Sequence, residues 1–268
     1  MSDLEILFLG TGTSTGVPMI GCDCPVCKSD NPHNRRLRSS IYLTAGNLKI
    51  LVDTSPDFRE QALCHNIRKV DALFITHAHV DHLFGLDDIR RINTIQNASI
   101  PVWSSPEAIK DIHRIFSYVF TDSVPGTFRP KLETHSFDST LELPQDGGES
   151  LFITPIDVVH GWARTFGYRF DYNGKSFAYI PDCHELPQAA MKQLANLDCL
   201  IVDALKYTDH PTHFSVDEAL QAISKLSPKK ALLTHISHRI EHESFMQNLL
   251  EKGLEYIKPA YDGLRFTL

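Results

Sequence analysis

The chain has 268 residues, with 26 Lys+Arg against 33 Asp+Glu, so its formal net charge is −7, and 42% of its residues are hydrophobic. This length suits one large domain or two small ones, with a sizeable core. The acidic balance, without a long Lys/Arg block, argues against broad adhesion to nucleic acid or anionic lipid, because neutralising phosphates needs clustered positive charge. This composition favours a small substrate, or one that the protein contacts over a limited area.

The predicted elements alternate along the whole chain. Short apolar runs bounded by turn residues predict strands at 5–9, 40–45, 48–53, 72–76, 151–158, 165–171, 176–180, 199–203 and 230–234. Amphipathic stretches predict helices at 56–65, 106–119, 186–194, 215–225 and 243–252. We therefore expect an α/β protein whose sheets are covered by helices, folded as a single domain over residues 1–268. Residues 117–148 are polar and interrupted by Pro and Gly, which predicts a surface insertion there.

The sequence also indicates the cellular compartment of the protein. No stretch approaches the roughly 18 to 20 apolar residues that a membrane span requires, and the first residues lack a basic start followed by an apolar run. We expect a soluble, cytoplasmic protein that does not bind membranes. In such a reducing compartment the close spacing of Cys22, Cys24 and Cys27 favours a metal site over a disulfide.

The most informative segment is a buried-type strand that runs into four potential metal ligands, His77, His79, Asp81 and His82. Residues two apart in an extended chain face the same side, so His77 and His79 can converge on one point. Asp81 and His82 follow as the chain turns toward a helix, and can aim at a second point. Three His and one Asp at this spacing are poorly explained as solvated polar residues.

Three further candidates each follow an apolar run: His160, Asp182 and His235. Loops at strand ends are where α/β proteins assemble sites. Together with the first segment they provide five His and two Asp, which suits two borderline metal ions that share a bridging carboxylate.

These residues, in this order, resemble the metallo-β-lactamase superfamily over essentially the whole chain. The resemblance implies a four-layer αβ/βα sandwich with a dinuclear centre at one edge. It implies that one metal is held by His77, His79 and His160. It implies a second metal on Asp81, His82 and His235, with Asp182 bridging both.

The ends of the chain resemble a narrower group. The segment 9–18, LGTGTSTGVP, and the segment 21–27, GCDCPVC, are similar to the amino terminus of the PhnP-type cyclic phosphodiesterases, and 233–238, LTHISH, is similar to their carboxy-terminal signature. By itself the cysteine cluster offers three thiolates to a tetrahedral zinc, with His33, Cys64 or His238 as the fourth ligand. The resemblance implies His238, and hence one structural Zn²⁺ beside the catalytic pair.

A phosphodiester hydrolase also needs a group that handles the leaving oxygen, and His213 is our candidate. It precedes a predicted helix and resembles the histidine that this group and the tRNA 3′-processing ribonucleases place beside the scissile phosphate. We assign His213 and Asp81 to the catalytic set. His210 and His184 are weaker rivals for the role of His213.

Three other features admit two interpretations each. The glycine-rich loop from Gly10 to Gly16 lacks the ending of a nucleotide-phosphate loop, so we interpret it as a tight turn bordering the active site. Asp53 could orient a ligand imidazole or simply form a turn. The basic run at 34–38, NRRLR, could attract a substrate phosphate, although a solvated face is the default expectation.

The sequence therefore predicts a metal-dependent phosphodiesterase that hydrolyses small diesters, by resemblance ribose cyclic phosphates. The resemblance implies two divalent metals, Zn²⁺ or Mn²⁺, that activate a hydroxide for in-line attack on phosphorus. The alternatives are a tRNA 3′-processing endonuclease, a lactone, thioester or β-lactam hydrolase, and a degenerate binding scaffold. Nucleic acid is disfavoured as a partner by the net charge, and a homodimer is left open.

Overall fold

The computed structural model describes residues 4–121 and 126–268, and within them the strands form two seven-stranded sheets. The first sheet has the order β14-β1-β2-β3-β4-β5-β6, with β1 Leu4–Gly10, β2 Ser40–Ala45, β3 Leu48–Val52, β4 Ala72–Phe74, β5 Ile100–Ser104, β6 Leu132–Ser136 and β14 Arg265–Thr267. The second has the order β13-β12-β11-β10-β9-β8-β7, with β7 Leu141–Leu143, β8 Leu151–His160, β9 Ala163–Tyr172, β10 Lys175–Ile180, β11 Cys199–Asp203, β12 Lys230–Thr234 and β13 Ile257–Pro259.

Each central strand is buried on both faces, and its alternate residues enter different cores. In β1, Ile6 and Phe8 pack between the two sheets, whereas Leu7 and Leu9 pack against helices on the outside. In β10, Phe177 points into the core between the sheets. This is the two-residue period of a strand, and it explains why these segments are nearly unbroken apolar runs.

Helices cover the outer face of each sheet. Those against the first sheet are α1 Phe58–Cys64, α3 Ile89–Gln96 and α4 Pro106–Ile115, and those against the second are α5 Gln188–Gln193, α6 Val216–Leu226 and α7 His242–Glu251. A short helix, α2 Val80–Leu83, follows β4. The predicted four-layer αβ/βα sandwich is confirmed.

The predicted elements are all present, with ends shifted by a few residues. Helix α6 begins after Ser215, whose hydroxyl accepts from the backbone N–H of Glu218 while the Glu218 side chain accepts from the backbone N–H of Ser215. This reciprocal cap explains why Ser215 marks the helix start. Helix α4 is shorter than predicted and is followed by a single 3₁₀ turn at 117–119.

The helix start expected at Asp81 and His82 is α2, whereas the prediction missed α3 and five strands, β5, β6, β7, β13 and β14. Strand β5 contains Pro101, which cannot donate to a sheet ladder and argues against a strand in the sequence. The other missed strands lie at or beside sheet edges, and three of them have only three residues, too few for a period to be visible.

The predicted insertion at 117–148 includes two of these strands. Strand β6 pairs in parallel with β5, and β7 pairs antiparallel with β8, so this stretch leads from one sheet to the other. A strand needs only backbone pairing, which polar side chains do not prevent. Residues 122–125 of the stretch lie outside the described residues, and the extent of the domain stays a prediction.

The direction of the parallel strands determines where the candidate site lies. Strands β3, β4 and β5 run parallel in the first sheet, and β10, β11 and β12 run parallel in the second. Their carboxyl ends therefore lie at a shared edge of each sheet. Within the described ranges no helix is long and apolar enough to cross a membrane.

Candidate metal centre

Three of the predicted ligands form a first group at this edge. His77 and His79 follow β4, and His160 is the last residue of β8. Nε2 of His77 lies 2.8 Å from Nδ1 of His79, and Nε2 of His160 lies 3.3 Å from that same atom. The ligand nitrogens of all three lie within 4.8 Å of one another, so one ion can contact all of them.

The second group contains Asp81, His82, Asp182 and His235, all buried. Nε2 of His82 lies 3.4 Å from Oδ2 of Asp81 and 3.1 Å from Oδ1 of Asp182. Nδ1 of His235 also lies 3.1 Å from Oδ1 of Asp182. A second ion therefore has four candidate ligands within 4.8 Å of one another.

Asp182 joins the two groups. Its Oδ1 faces His82 and His235, while its Oδ2 lies 3.5 Å from Nε2 of His160 and 3.8 Å from Nε2 of His77. Burial raises the pKa of this carboxyl, but its contacts with His235 and His82 outweigh burial and hold it well below its usual value. The structure thus places one ionised carboxylate between two clusters of imidazoles, as a bridging ligand requires.

Unsatisfied polar atoms test whether metal ions fit here. Among residues 4–121 and 126–268, the buried atoms without a hydrogen-bond partner include Nε2 of His82, Oδ1 of Asp182 and Nε2 of His235. Buried polar atoms rarely lack partners, and here three of them come from one group of candidate ligands. An ion held by this second group would satisfy Nε2 of His82 and Oδ1 of Asp182, so these residues fit a metal ion.

The protonation states agree with that fit. Burial lowers the pKa of His77 well below its usual value and that of His235 to about 3, so both imidazoles are neutral, which is the form that binds metal. His82 differs, because burial is outweighed by Asp182, Asp81 and Asp53, which raise its pKa well above the usual value. The carboxylates around His82 thus stabilise a positive charge at this position. A metal ion can supply that charge in place of a proton.

Hydrogen bonds from outside the clusters orient several ligands. Nδ1 of His160 lies 2.7 Å from the carbonyl oxygen of Thr212 and must donate to it, which leaves Nε2 free to bind metal. Oδ2 of Asp53 lies 2.7 Å from Nδ1 of His82, and its Oδ1 accepts from the backbone N–H of Thr76 at 2.8 Å. Of the two interpretations of Asp53, the structure supports an orienting carboxylate.

His213 lies beside both groups. Its ring is 4.7 Å from that of His160 and 4.8 Å from that of His235, and its Nε2 is 4.0 Å from Oδ2 of Asp182. Its Nδ1 lies 2.7 Å from Oδ2 of the buried Asp203. Burial favours the neutral ring, but Asp203 outweighs burial and raises the pKa of His213 to about 9, which favours the protonated imidazole.

Asp203 is the functional candidate that the sequence prediction missed. It ends β11 as Asp53 follows β3, so the signal was an aspartate directly after an apolar run. Of the weaker rivals, His210 has its ring 5.1 Å from His213, and His184 borders a different cavity. His213 also lies within reach of an ion shared with His160 and Asp182.

The cysteine cluster forms a separate group. Sulfurs of Cys22, Cys24 and Cys27 lie 3.2, 3.5 and 3.7 Å from Nδ1 of His238. A hydrogen bond from the backbone N–H of Cys27, more than any other contact, lowers the pKa of Cys24 to about 6, which favours the thiolate that metals bind. Of the three open candidates for a fourth ligand, the structure brings His238 to the cluster.

The basic run at 34–38 is not simply a solvated face. Arg36 is 2% exposed and donates to Oγ1 of Thr11 and to the carbonyl oxygen of Ala260. Arg38 pairs with Asp57 at 2.7 Å and donates to the carbonyl oxygen of Ser14. These two side chains hold loops in place, and both guanidinium groups are engaged by contacts within the chain.

A cavity of about 280 Å³ opens over His79, His160 and His213. Its lining includes Ser14 from the glycine-rich loop, which agrees with the interpretation of that loop as a border of the active site. Its lining also includes the turn between β8 and β9, with Gly161 and Trp162. The arrangement can bind a small anion against a buried, cation-binding surface, with a protonated imidazole beside it.

Comparisons with known proteins agree with the fold described above. Residues 49–236 match the family described as "Beta-lactamase superfamily domain". A solved structure described as a new diphosphatase from the PhnP family has 38% identity and a TM-score of 0.88, covering 99% of this chain and 97% of that one. The Zn²⁺-bound PqqB from Methylobacterium extorquens has 20% identity and a TM-score of 0.79, covering 98% of this chain and 100% of that one, and shows likeness of fold.

One curated relative differs in name. It is a protein of Porphyromonas gingivalis called "Octanoyltransferase", which is 33% identical over 264 residues. The match covers 97% of this chain but 51% of the relative, so the chain spans about half of that protein's length.

Proposed function

The chain belongs to the metallo-β-lactamase superfamily, on its PhnP-like branch, and from this premise we propose that it is a metal-dependent hydrolase of small phosphodiesters, with ribose cyclic phosphates as substrates. The observation that carries the proposal is the hydrogen-bonded pair of His213 and Asp203 beside the candidate metal centre. An alkoxide leaving from phosphorus needs a proton, and His213 holds one at this edge.

We assign one ion to His77, His79 and His160, and the other to Asp81, His82 and His235, with Asp182 shared between them. Two divalent ions would supply Lewis acidity toward phosphoryl oxygens and a lowered pKa for water. An imidazole-rich ligand set with carboxylates suits Zn²⁺ and Mn²⁺ alike. We assign a third, structural Zn²⁺ to the cysteines and His238, which fits a reducing, cytoplasmic location.

Other residues of the chain orient the candidate ligands and supply a proton. Asp53 holds His82 in orientation, and the carbonyl of Thr212 does the same for His160. Asp203 keeps the His213 ring protonated and aimed at the cavity, so that this imidazole can protonate the departing alkoxide or bind a phosphoryl oxygen. Burial excludes bulk water from the candidate ligands, which strengthens each electrostatic interaction.

Charge favours a small substrate over RNA. The chain has a net charge of −7, and Arg36 and Arg38 of its dense basic run are engaged within the fold. A long RNA needs several phosphate contacts from exposed cations. We therefore disfavour a tRNA-processing activity.

A second candidate, hydrolysis of an acyl thioester, is favoured by the similarity to the relative called "Octanoyltransferase". Two observations weigh against it. That relative is about twice as long as the matching segment, so its name can refer to its other half. A thiolate is also a far better leaving group than an alkoxide, so a thioesterase would not need the proton that His213 holds.

The test is a comparison of substrates at equal metal content. The purified protein is reconstituted with Zn²⁺ or Mn²⁺, and kcat/KM is measured for a ribose cyclic phosphate, an octanoyl thioester, a simple lactone and precursor tRNA. We expect the ribose cyclic phosphate to be preferred. Preference for any of the other three would overturn the proposed function.

A further inference from the structure

We propose that Trp162 is a specificity residue whose indole stacks on the nucleobase of the substrate, so that the preferred phosphodiesters are those of nucleosides. This inference rests on the proposed function and deepens it. Trp162 is 95% exposed, although an indole is among the side chains that gain most from burial. It also lines the cavity over the candidate metal centre.

The turn itself does not require a tryptophan. Residues His160 and Ala163 pair at the end of the β8–β9 hairpin, which leaves Gly161 and Trp162 as a two-residue loop. Gly161 has a φ of +60, in the left-handed region, as the first position of such a loop demands. Small polar residues or glycine are the usual choice for the second position. The indole is therefore not explained by the local backbone.

The hairpin fixes Trp162 relative to the site. Strands β8 and β9 are paired without a break from Phe152 to His160, and His160 is itself a candidate ligand two residues before Trp162. A Cβ added at Gly161 would lie 3.1 Å from the Thr212 side chain, so the turn abuts the loop that carries His213. A residue on such a rigid support can bind a ligand without a large cost of ordering.

The size of the cavity indicates which part of a bound substrate reaches Trp162. Its volume of about 280 Å³ is at the lower limit for small-ligand sites, which are roughly 300 to 1,000 Å³. A phosphoryl group and its ribose would occupy the part next to His79 and His160, and the remainder of the substrate must extend to the rim. Trp162 is the large apolar side chain among the lining residues.

The residues around Trp162, at the rim of the cavity, favour a flat ring as the ligand of this side chain. Trp162 is flanked by Gly161 and Ala163, and the Arg164 side chain is held by Asp157 and Glu107. One indole surrounded by small and paired polar residues offers a single aromatic face rather than an apolar groove. Every nucleobase has a π-face, and stacking a base on an aromatic side chain is a general mode of recognition. An acyl chain or a protein surface would need a wider apolar area.

The experiment uses two substrates that share a leaving group. Adenosine 2′,3′-cyclic phosphate carries a base, and methyl β-D-ribofuranoside 2,3-cyclic phosphate does not. We expect kcat/KM of the metal-loaded wild type to favour the adenosine substrate by about 5-fold to 150-fold, the range for one stacked base. Trp162→Ala should reduce that ratio toward 1, and Trp162→Phe should keep part of it. Phe152→Ala, an exposed aromatic at the far end of the same hairpin, is the matched control and should keep the wild-type ratio.

A binding measurement makes the result independent of turnover. The chain has two tryptophans, Trp103 and Trp162, and we expect adenosine 5′-monophosphate, but not ribose 5-phosphate, to quench the indole fluorescence of the wild type. The quenching should be lost in Trp162→Phe.

The outcomes separate the two proposals. Equal kcat/KM for both cyclic phosphates in the wild type would overturn the role of Trp162 and leave the phosphodiesterase assignment standing. Turnover of the octanoyl thioester with none of either cyclic phosphate would overturn the proposed function, and quenching by adenosine 5′-monophosphate would then still decide whether Trp162 binds a base. A Trp162→Ala protein with an altered sedimentation coefficient and an unchanged substrate ratio would assign the indole to a contact between copies and overturn the inference.

Discussion

Nδ1 of His213 lies 2.7 Å from Oδ2 of Asp203, and among the imidazoles that line the cavity His213 is the one whose Nδ1 contacts a buried carboxylate. The carboxylate of Asp203 is fully buried and also accepts from the backbone N–H of Cys183. It therefore fixes the His213 ring, favours its protonated form and leaves Nε2 directed toward Asp182 at 4.0 Å. General acid catalysis needs this combination of a held proton and a fixed direction.

We expect Asp203→Asn and His213→Ala to reduce turnover of a ribose cyclic phosphate by about 100-fold to 10,000-fold, the range for loss of a general acid or base. Turnover of bis(p-nitrophenyl) phosphate should fall much less, because its leaving group needs little protonation. Metal content, measured by elemental analysis, should match that of the wild type. Equal losses on both substrates would contradict the assignment of a leaving-group acid.

Asp182 provides a second prediction, because its two oxygens face different groups. Asp182→Ala should lose both catalytic metals together, along with activity on every phosphodiester, while the metal at the cysteine cluster remains. Elemental analysis before and after dialysis measures this. Asp111→Ala, an exposed carboxylate that pairs with Arg114 on α4, is the control and should retain all metals. A variant that lost one catalytic equivalent and kept the other would rule out a shared carboxylate.

Asp53 should act through His82, whose Nδ1 it contacts. Its φ of +63 lies in the left-handed region, where Asn is also tolerated, so Asp53→Asn changes the charge with little backbone strain. We expect the affinity for the metal at His82 to fall about 10-fold to 100-fold, as is usual when a ligand loses its orienting carboxylate. Competition with a chromogenic chelator measures that affinity, and an unchanged value would show that Asp53 only shapes the turn.

The cysteine cluster is expected to contribute to stability rather than to catalysis. Replacing Cys22, Cys24 and Cys27 by Ser should remove one zinc equivalent and lower the melting temperature by at least about 5 °C, because a closed structural site adds directly to the free energy of unfolding. Cys64→Ser is the control, since Cys64 is exposed on α1 and remote in sequence from the cluster. A triple variant with unchanged zinc content would refute the structural site.

Part of the candidate ligand set could be predicted from the sequence because its spacing is local. His77, His79 and His82 lie within six residues, directly after a strand that is recognisable by its apolar run. His160, Asp182 and His235 each follow such a run, and parallel strands bring these ends together. The physical rule that strand ends share an edge predicts that these residues meet, whereas their division between two ions follows from the resemblance to the superfamily.

Asp203 and Trp162 could not be predicted in the same way. An aspartate after a strand is a common turn former, and only the fold shows that His213 lies 2.7 Å away. A lone tryptophan in an apolar and aromatic stretch is more often a core residue, and its 95% exposure depends on the hairpin register. Helix α3 carries isoleucines at 89, 92 and 95, so its helical period was visible in the sequence and the prediction overlooked it.

The last prediction concerns salt and RNA. Each phosphate that a protein neutralises lowers log K by about 0.7 per unit of log[salt] on single strands and about 0.9 on duplexes. Arg36 is buried and Arg38 is paired with Asp57, so this run offers few free cations to an RNA backbone. We expect kcat/KM for a ribose cyclic phosphate to change by at most about 4-fold between 50 and 200 mM KCl, since a single bound phosphate gives a slope near 1 at most. Under the same conditions precursor tRNA should be neither bound in a filter-retention assay nor cleaved. Cleavage of precursor tRNA with a steep loss of affinity as salt rises would show that exposed cations elsewhere on the chain form an RNA-binding surface, and the small-substrate assignment would then be wrong.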